Sequence, residues 1–355
     1  TPDRHLVFFG TETTIGDPTT QDDMFIRFSD QEDINTYQPT AVNTAGTQRL
    51  ADGSRIVGAV RGRDAMYVWT DTSLFTMRFI GPPFTFGFQQ IGTNCGLIGQ
   101  NAAIEVDGAA YWFSENGFFK YSGNLETMIC LVEDFVFNDL NTTANQLINA
   151  GLNNLFGEIN WFYCSSGSSV VDKCVTYNYM ESTPNRPIWT TGTLNRTTWQ
   201  DSSVFGKPHA TDYDTSGTSY DVVGNTDGST TYYEHETGTD QVTSDAITSI
   251  TSNIKSGDFD ISQGGDGELF AKIRRFVPDF LSQDGDTQIT LNLRNYPNNS
   301  QSSSPLGPFT ITSSTTKVDT RARARAVSLK VANTGASQNW KLGGFRLDIQ
   351  PDGRR

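Results

Sequence analysis

Hydrophobic and polar residues alternate in short bursts along the chain, and the bursts come in pairs separated by tight polar turns. The stretch "DAMYVWTDTSLFTMRF" (Asp64–Phe79) has the pattern of a strand, a turn and a second strand. "DGAAYWFSENGFFKYSG" (Asp107–Gly123) repeats this pattern about 43 residues later, and "GEINWFYCSSGSSVVDKCVTYNY" (Gly157–Tyr179) repeats it roughly 50 residues further on. Turn sequences such as "SENG" suit β-hairpins. The pattern therefore predicts a series of similar antiparallel units.

Two other segments extend this loose repeat. The opening residues Asp3–Asp30 and the later stretch "SYDVVGNTDGSTTYYEHETG" (Ser219–Gly238) both have the same texture. Units of about four strands, recurring every 40–60 residues, are typical of β-propeller blades. A blade buries both of its faces, which explains aromatic residues that do not alternate cleanly with polar ones. We predict an all-β fold in which residues 1–245 form a β-propeller with degenerate blades; a β-sandwich made of the same hairpins is the alternative.

One segment departs from the β pattern. Residues Leu131–Leu155 contain apolar side chains at mostly helical spacing, namely Val132, Phe135, Val136, Leu140, Leu147 and Ile148. This spacing predicts one or two short helices that end near Gly151.

From about Ile247 the strands become longer, as in "AKIRRFVPDFL", "TQITLNLRNYP" and "RAVSLKVAN". A loop rich in Ser, Pro and Asn interrupts them. We predict that residues 246–355 form a separate, antiparallel, β-sandwich-like module with a role in assembly.

Composition supports the β assignment and narrows the function. Hydrophobic residues make up only 36% of the chain, yet aromatic residues make up 12%, as expected for short strands with aromatic cores. The net charge of −14 argues against a protein that grips duplex DNA, although DNA could pass an acidic surface without sticking. No run is long enough for a transmembrane helix, so we expect no membrane insertion. The opening "TPDRHLVFFG" lacks Met and is read as the start of a processed or partial polypeptide whose N-terminal part is missing.

The sequence contains no recognisable catalytic, cofactor or metal signature. The four cysteines lack CxxC spacing, and Cys164 and Cys174 are either reduced thiols or partners across a hairpin. HExxH, GxSxG and Gly-rich phosphate loops are absent. His235 lies between two glutamates, a pattern that favours a hydrogen-bonding role over metal binding. A glycosidase with two carboxylates is the enzyme alternative that the 40 acidic residues leave open.

Arg321, Arg323 and Arg325 occupy every second position before the last strands, so an extended chain projects all three from one face. They could contact nucleic acid, form a solvated strand face, or pair with carboxylates of a neighbouring subunit. Because the rest of the chain is acidic, we expect a contact with a copy of this chain or a sister subunit. Trp340, in the same closing segment, is assigned to the same interface.

Several stretches resemble tailed-phage virion proteins, and more narrowly the tail nozzle or hub proteins of short-tailed phages (podoviruses). The similarity covers most of the chain. It is carried by "RFSDQEDINTYQPT" (Arg27–Thr40), "GEINWFY" (Gly157–Tyr163), "IWTTGTLNRTTWQDSSVFGKPHA" (Ile188–Ala210), "YYEHETG" (Tyr232–Gly238), "VPDF" (Val277–Phe280) and the closing "RARARAVSLKVAN…WKLGGFRLDIQPDG".

The resemblance implies a homo-oligomeric ring, a hexamer, of propeller-bearing subunits in the virion tail, assembled in the host cytoplasm below the portal and its adaptor. Such a ring would extend the conduit for double-stranded DNA, retain the genome before ejection and help to attach fibres or spikes. The family builds a platform domain from both ends of the polypeptide around an inserted propeller, so residues 246–355 would be the second part of that platform.

Two other functions compete with this one. A receptor-binding or glycan-degrading phage propeller would have a carboxylate-rich pocket at one mouth of the propeller. A propeller scaffold from a host cell would be monomeric and would lack ring contacts.

Overall fold

The computed structural model describes residues 1, 3–202, 204, 206–213, 230–242, 247–262, 267–296 and 305–354. The chain divides into two compact units, Thr1–Glu236 and Thr237–Arg355. The sequence prediction placed the domain boundary after residue 245. Strands dominate both units and helices are few and short, so the all-β prediction is confirmed.

Five antiparallel sheets follow one another along the described part of the first unit, and each is built from strands that are consecutive in the chain. Sheet 1 contains β1 (Val7–Phe9), β2 (Phe25–Phe28) and β3 (Gly46–Arg49). Sheet 2 contains β4 (Ile56–Arg61), β5 (Met66–Thr70), β6 (Ser73–Gly81) and β7 (Thr85–Thr93). Sheet 3 contains β8 (Ala103–Val106), β9 (Ala109–Ser114), β10 (Gly117–Tyr121) and β11 (Leu125–Thr127). Sheet 4 contains β12 (Asn149–Asn153), β13 (Glu158–Tyr163), β14 (Lys173–Asn178) and β15 (Trp189–Gly192), and sheet 5 contains β16 (Thr198–Gln200), β17 (His209–Thr211) and β18 (Tyr232–Glu234).

The hairpins predicted from the repeat are the central strand pairs of these sheets. The pairs β5–β6, β9–β10 and β13–β14 match the three quoted bursts, and β1–β2 matches the opening segment. Only the end of the fourth burst, from Thr230 onwards, belongs to the described residues, and it supplies β18.

A tryptophan recurs at the same place in sheets 2, 3 and 4. Trp69, Trp112 and Trp161 lie on the second strand of their sheets and have no solvent exposure. Each faces a small residue on the first strand, and the facing pairs are Trp69 with Gly58, Trp112 with Ala103, and Trp161 with Ala150. The three sheets therefore share one pattern of cross-strand pairing, with a small residue beside each tryptophan.

Neighbouring sheets in the first unit are joined through their first strands. Strands β4, β8, β12 and β16 contact one another in chain order. The Nε1 group of Trp161 donates a hydrogen bond of 3.0 Å to the carbonyl of Ala102, just before sheet 3. The Nε1 group of Trp199 donates one of 2.7 Å to Leu152 in sheet 4. These bonds satisfy buried donors and tie each sheet to the preceding one.

Because adjacent strands are antiparallel, the turns of sheets 2 to 4 collect at two ends. We call one the acidic end; it consists of the turns 71–72, 115–116 and 164–172 and the connections 50–55, 94–102 and 128–148. The other, the cleft end, consists of the turns 62–65, 82–84, 107–108, 122–124, 154–157 and 179–188. At the acidic end the Cys95 amide donates to the Thr72 carbonyl (3.0 Å) and Asn116 Nδ2 donates to the Asn94 carbonyl (3.3 Å). The connection 94–102 therefore contacts turns of both sheet 2 and sheet 3.

The prediction of one or two short helices in residues 131–155 is confirmed, but the helical segments end at Leu147, before the predicted end near Gly151. One α-helix, α1 (Glu133–Phe137), and one 3-10 segment (Thr142–Leu147) are present, but the chain then forms strand β12 (Asn149–Asn153). A Cβ atom on Gly151 would lie 2.5 Å from Cγ of Trp199, so only glycine permits this close approach of sheet 5. Packing between sheets, which local spacing does not reveal, decides the conformation here. Among the residues that the structure describes, the third helical segment is a 3-10 turn at Pro18–Thr20.

The second unit contains two larger antiparallel sheets and a two-stranded ribbon. The ribbon pairs β19 (Asp240–Val242) with β20 (Ile247–Ser249). The four-stranded sheet has the order β21 (Asn253–Lys255), β26 (Ala326–Asn333), β23 (Thr287–Arg294) and β24 (Leu306–Ile311). The three-stranded sheet has the order β25 (Val318–Ala324), β22 (Ala271–Asp284) and β27 (Asn339–Pro351). One apolar cluster takes residues from both sheets, including Phe276, Ile273, Ile289, Leu291 and Val331, as in a two-layer sandwich.

Candidate functional site

The first two arginines of the predicted interface lie on the edge strand β25. Arg321 and Arg323 are exposed and alternate with Ala322 and Ala324, which are buried. Arg325 comes after the end of the strand, in a bend, and is only half-exposed. The shared strand face predicted for three arginines therefore holds for two of them.

Arg323 and Arg325 bind their own chain. The guanidinium carbons of Arg323 and Arg325 lie 3.9 and 4.7 Å from the centre of the Phe270 ring. Arg323 Nε donates to Asp352 Oδ2 at 2.6 Å, which lowers the pKa of that carboxyl group. Arg325 donates to the carbonyls of Gly267 (3.0 Å), Glu268 (3.0 Å) and Arg354 (3.1 Å). Together the two arginines hold the last residues of the described chain against the segment before β22.

Arg321 and Trp340 differ in how they are held. Arg321 has no ion pair or hydrogen bond to any residue that the structure describes, so its guanidinium group is available to another molecule. Trp340 is half-buried, donates from Nε1 to Ser252 Oγ at 3.0 Å and packs edge-on against Phe280. Trp340 therefore contributes to the core of the second unit, and its assignment to a subunit interface stays a prediction.

An open cavity of about 590 Å³ lies at the cleft end, between sheets 2 and 3. Its lining residues come from the end of β4 and the turn after it, and from β8 and the turn after it; they are Arg61, Gly62, Arg63, Glu105, Asp107 and Gly108. Glu105 Oε1 accepts a hydrogen bond of 2.7 Å from the Gly108 amide, which braces the second turn. The cavity presents two guanidinium groups and two carboxylates, and no ion pair involves them within the described chain.

Two tyrosines outside the cavity lining interact with the charge of Asp107. Tyr111 and Tyr179 are close enough to Asp107 to interact with its charge, and burial raises the pKa of Tyr111 to about 12. The Tyr179 hydroxyl donates to Asn154 Oδ1 at 3.0 Å, and the backbone amide of Asn154 donates to Asp201 Oδ1 at 3.2 Å. These two hydrogen bonds link the cleft-end turns of sheet 4 to Asp201, which follows the first strand of sheet 5.

A buried polar network lies in sheet 5 around Arg196. Its Nε atom donates to His235 Nε2 at 2.9 Å, so His235 is neutral with its proton on Nδ1. The Tyr233 ring lies 3.9 Å from the Arg196 guanidinium, and the Tyr233 hydroxyl donates to Asp212 at 2.9 Å. Burial, and then the nearby charge of Arg196, lower the pKa of His235 to about 4. The hydrogen-bonding role predicted for His235 agrees with this geometry.

Glu158 and Glu236 form a pair of interacting carboxyl groups that the sequence did not indicate. Asn153, which is 3% exposed, donates from Nδ2 to Glu236 Oε1 at 3.1 Å. Burial, and then the charge of Glu236, raise the pKa of Glu158, whose backbone pairs with Asn153. Glu236 lies 78 positions further along the sequence than Glu158, and no local motif could have indicated the pair.

Cys164 and Cys174 are free, buried thiols in one small apolar cluster, and burial raises the pKa of both. Within the described ranges, no group of three or more His, Cys, Asp or Glu side chains is placed to hold a metal ion. None of the helices described there is both long enough and apolar enough to cross a membrane.

No protein-family model matches this chain. A search of curated proteins also finds no match.

Proposed function

We propose that this chain is a structural subunit of a phage tail, in a nozzle or hub ring below the portal and adaptor. The ring conducts double-stranded DNA and helps to retain and eject the genome. The observation that carries the proposal is the series of similar antiparallel sheets followed by a separate sandwich-like unit. The sequence resemblance implies the same order of modules, a propeller followed by part of a platform.

Closure of the five sheets into a β-propeller is part of the proposal. Its support is the contact of β4, β8, β12 and β16 in chain order, because the first strands of neighbouring blades line the centre of a propeller. The recurring tryptophan and its small partner support it too, since blades of one propeller share their packing. Sheet 1 would then lie next to sheet 5.

The distribution of charge supports a surface that DNA passes without binding. The segments of the acidic end contain Asp52, Asp71, Glu115, Glu133, Asp134, Asp139 and Asp172, and Arg55 is their only basic residue. Such a surface repels phosphate groups and keeps the passing duplex mobile. In the assembled ring, we expect carboxylates of this kind to face the lumen.

The proposal is tested by the oligomeric state of the full-length protein, measured by native mass spectrometry and negative-stain imaging. We expect a closed ring with an axial hole of at least ~20 Å, wide enough for duplex DNA. A protein that stays monomeric, both alone and with portal and adaptor proteins, would contradict the proposal.

A further inference from the structure

The cleft end carries a feature that a DNA conduit does not need. The cavity between sheets 2 and 3 has both signs of charge on its walls, with Arg61 and Arg63 on one side and Glu105 and Asp107 on the other. No ion pair involves these four side chains within the described residues, so their polar atoms still have hydrogen-bonding capacity. We propose that this cavity binds an uncharged oligosaccharide.

The guanidinium and carboxylate groups of the cavity match the hydroxyl groups of a sugar. Carboxylates accept and guanidinium groups donate two hydrogen bonds in a planar fork, which suits adjacent hydroxyls on a sugar ring. Glu105 uses Oε1 for the Gly108 amide, which fixes the carboxylate and leaves Oε2 for a ligand. The cavity is open, as an elongated chain of sugars requires.

The charges on the walls of the cavity balance. Two arginines and two acids cancel, so the walls of the cavity attract neither a polyanion such as DNA nor a polycation. The acidic end of the same sheets, by contrast, is strongly negative. An uncharged polyol is therefore the ligand that fits the cavity best.

The cleft end of sheet 4 carries further polar groups. Tyr179 is half-buried, interacts with the charge of Asp107 and donates from its hydroxyl to Asn154 Oδ1. The backbone amide of Asn154 donates to Asp201 Oδ1. These hydrogen bonds hold the Tyr179 and Asp201 side chains in place before a ligand arrives.

The test is an array of neutral oligosaccharides of hexoses and N-acetylhexosamines, probed with the full chain. Bound glycans are then titrated by calorimetry, with dextran sulfate as a polyanionic comparison. The test variant is E105Q/D107N. Gln keeps an acceptor for the Gly108 amide, and Asn tolerates the left-handed backbone of Asp107, whose φ is 52°. The control is E133Q/D134N, which makes the same change of charge at the acidic end.

We expect the wild type and the control to bind a neutral glycan, and E105Q/D107N to bind it at least about tenfold more weakly while its melting temperature is unchanged. The absence of any bound neutral glycan would overturn the proposal. Equal binding by the two variants, or a preference for dextran sulfate, would also overturn it. Ring assembly is a separate measurement, so failure here leaves the proposed conduit untouched.

Discussion

The residues that define the first unit are three buried tryptophans, each facing a small residue on the neighbouring strand. The aromatic bursts are visible in the sequence, because strands and turns are local patterns. Gly58, Ala103 and Ala150 are not visible as partners, because each lies on another strand and small residues are common in the chain. Strand pairing, which local patterns do not reveal, places each of them beside a tryptophan.

Replacing Trp161 by Phe should lower the free energy of unfolding of the first unit by about 2 kcal/mol. The change leaves a cavity in a fully buried site and removes the 3.0 Å hydrogen bond to Ala102. Urea titration followed by circular dichroism measures the effect. The control is Phe84→Tyr, at a side chain that is 74% exposed. A Trp161→Phe variant as stable as this control would show that the tryptophan packing is not important.

His235 should make the first unit sensitive to acid. Its pKa is 6.5 when unperturbed and about 4 in the folded state, because burial and Arg196 disfavour the imidazolium. Between pH 4 and pH 6.5 the unfolded state therefore binds more protons than the folded state does. The contribution to stability is complete above pH 6.5, is lost progressively as the pH falls from 6.5 to 4, and changes no further below 4.

Replacing His235 by Gln should flatten this pH dependence, since Gln Oε1 can still accept from Arg196 but does not titrate. The measurement is the urea midpoint of both proteins from pH 4 to pH 8. The two should differ in slope below pH 6.5 and have parallel profiles above pH 7, where His235 is neutral in both states. Equal slopes across the whole range would rule out His235 as the cause of acid sensitivity.

At the scale of elements, the paired arginines at the end of β25 act as a clamp on the end of the chain. Phe270 lies against both guanidinium groups, and main-chain hydrogen bonds join Phe270 to Asp352 (2.8 Å) and Gly353 (2.9 Å). The alternation in the sequence predicted an arginine face. It could not reveal the clamp, because Phe270 and Asp352 are distant in sequence from the arginines.

The double change R323A/R325A should destabilise the second unit by about 1–2 kcal/mol, since it removes two cation–π contacts and a half-exposed ion pair. Hydrogen exchange at the amides of Phe270 and Asp352 should become faster. Arg321→Ala should change stability by less than about 0.5 kcal/mol and should leave this exchange unaltered. Equal effects of the three arginines would contradict the clamp.

The segment between sheets 3 and 4 shows where prediction of elements fails. Helical spacing predicted α1 and the 3-10 turn but extended them into β12. The strand forms because Asn149, Gly151 and Asn153 are buried between neighbouring sheets, with Trp199 against Gly151. Propensity is a weak guide where such contacts decide.

At the scale of the whole molecule, the proposed ring depends on contacts between subunits. Arg321 is the member of the arginine triplet best placed for one, since it is exposed on an edge strand and unpaired within the described chain. Composition and local patterns predicted the all-β fold class, while the propeller and the platform module stay predictions. The cavity of the cleft end brings together turns from different sheets, and no pattern in the sequence joins them.

Arg321→Glu should reduce the fraction of protein in rings, because it places a carboxylate where an acidic neighbour is expected. The matched control is Arg346→Glu, on the opposite edge strand of the same sheet and also exposed. Mass photometry at several concentrations measures the populations. If both variants assemble like the wild type, the predicted role of Arg321 is wrong. That result leaves open a ring held together by other contacts.

The most direct test of the conduit is a cryo-electron microscopy reconstruction of the full-length protein, alone and with portal and adaptor proteins. We predict a ring whose lumen admits duplex DNA and is lined by carboxylates, with the five sheets of each subunit closed into a propeller. A monomer in both samples, or a ring whose lumen is neutral or basic, would contradict the account.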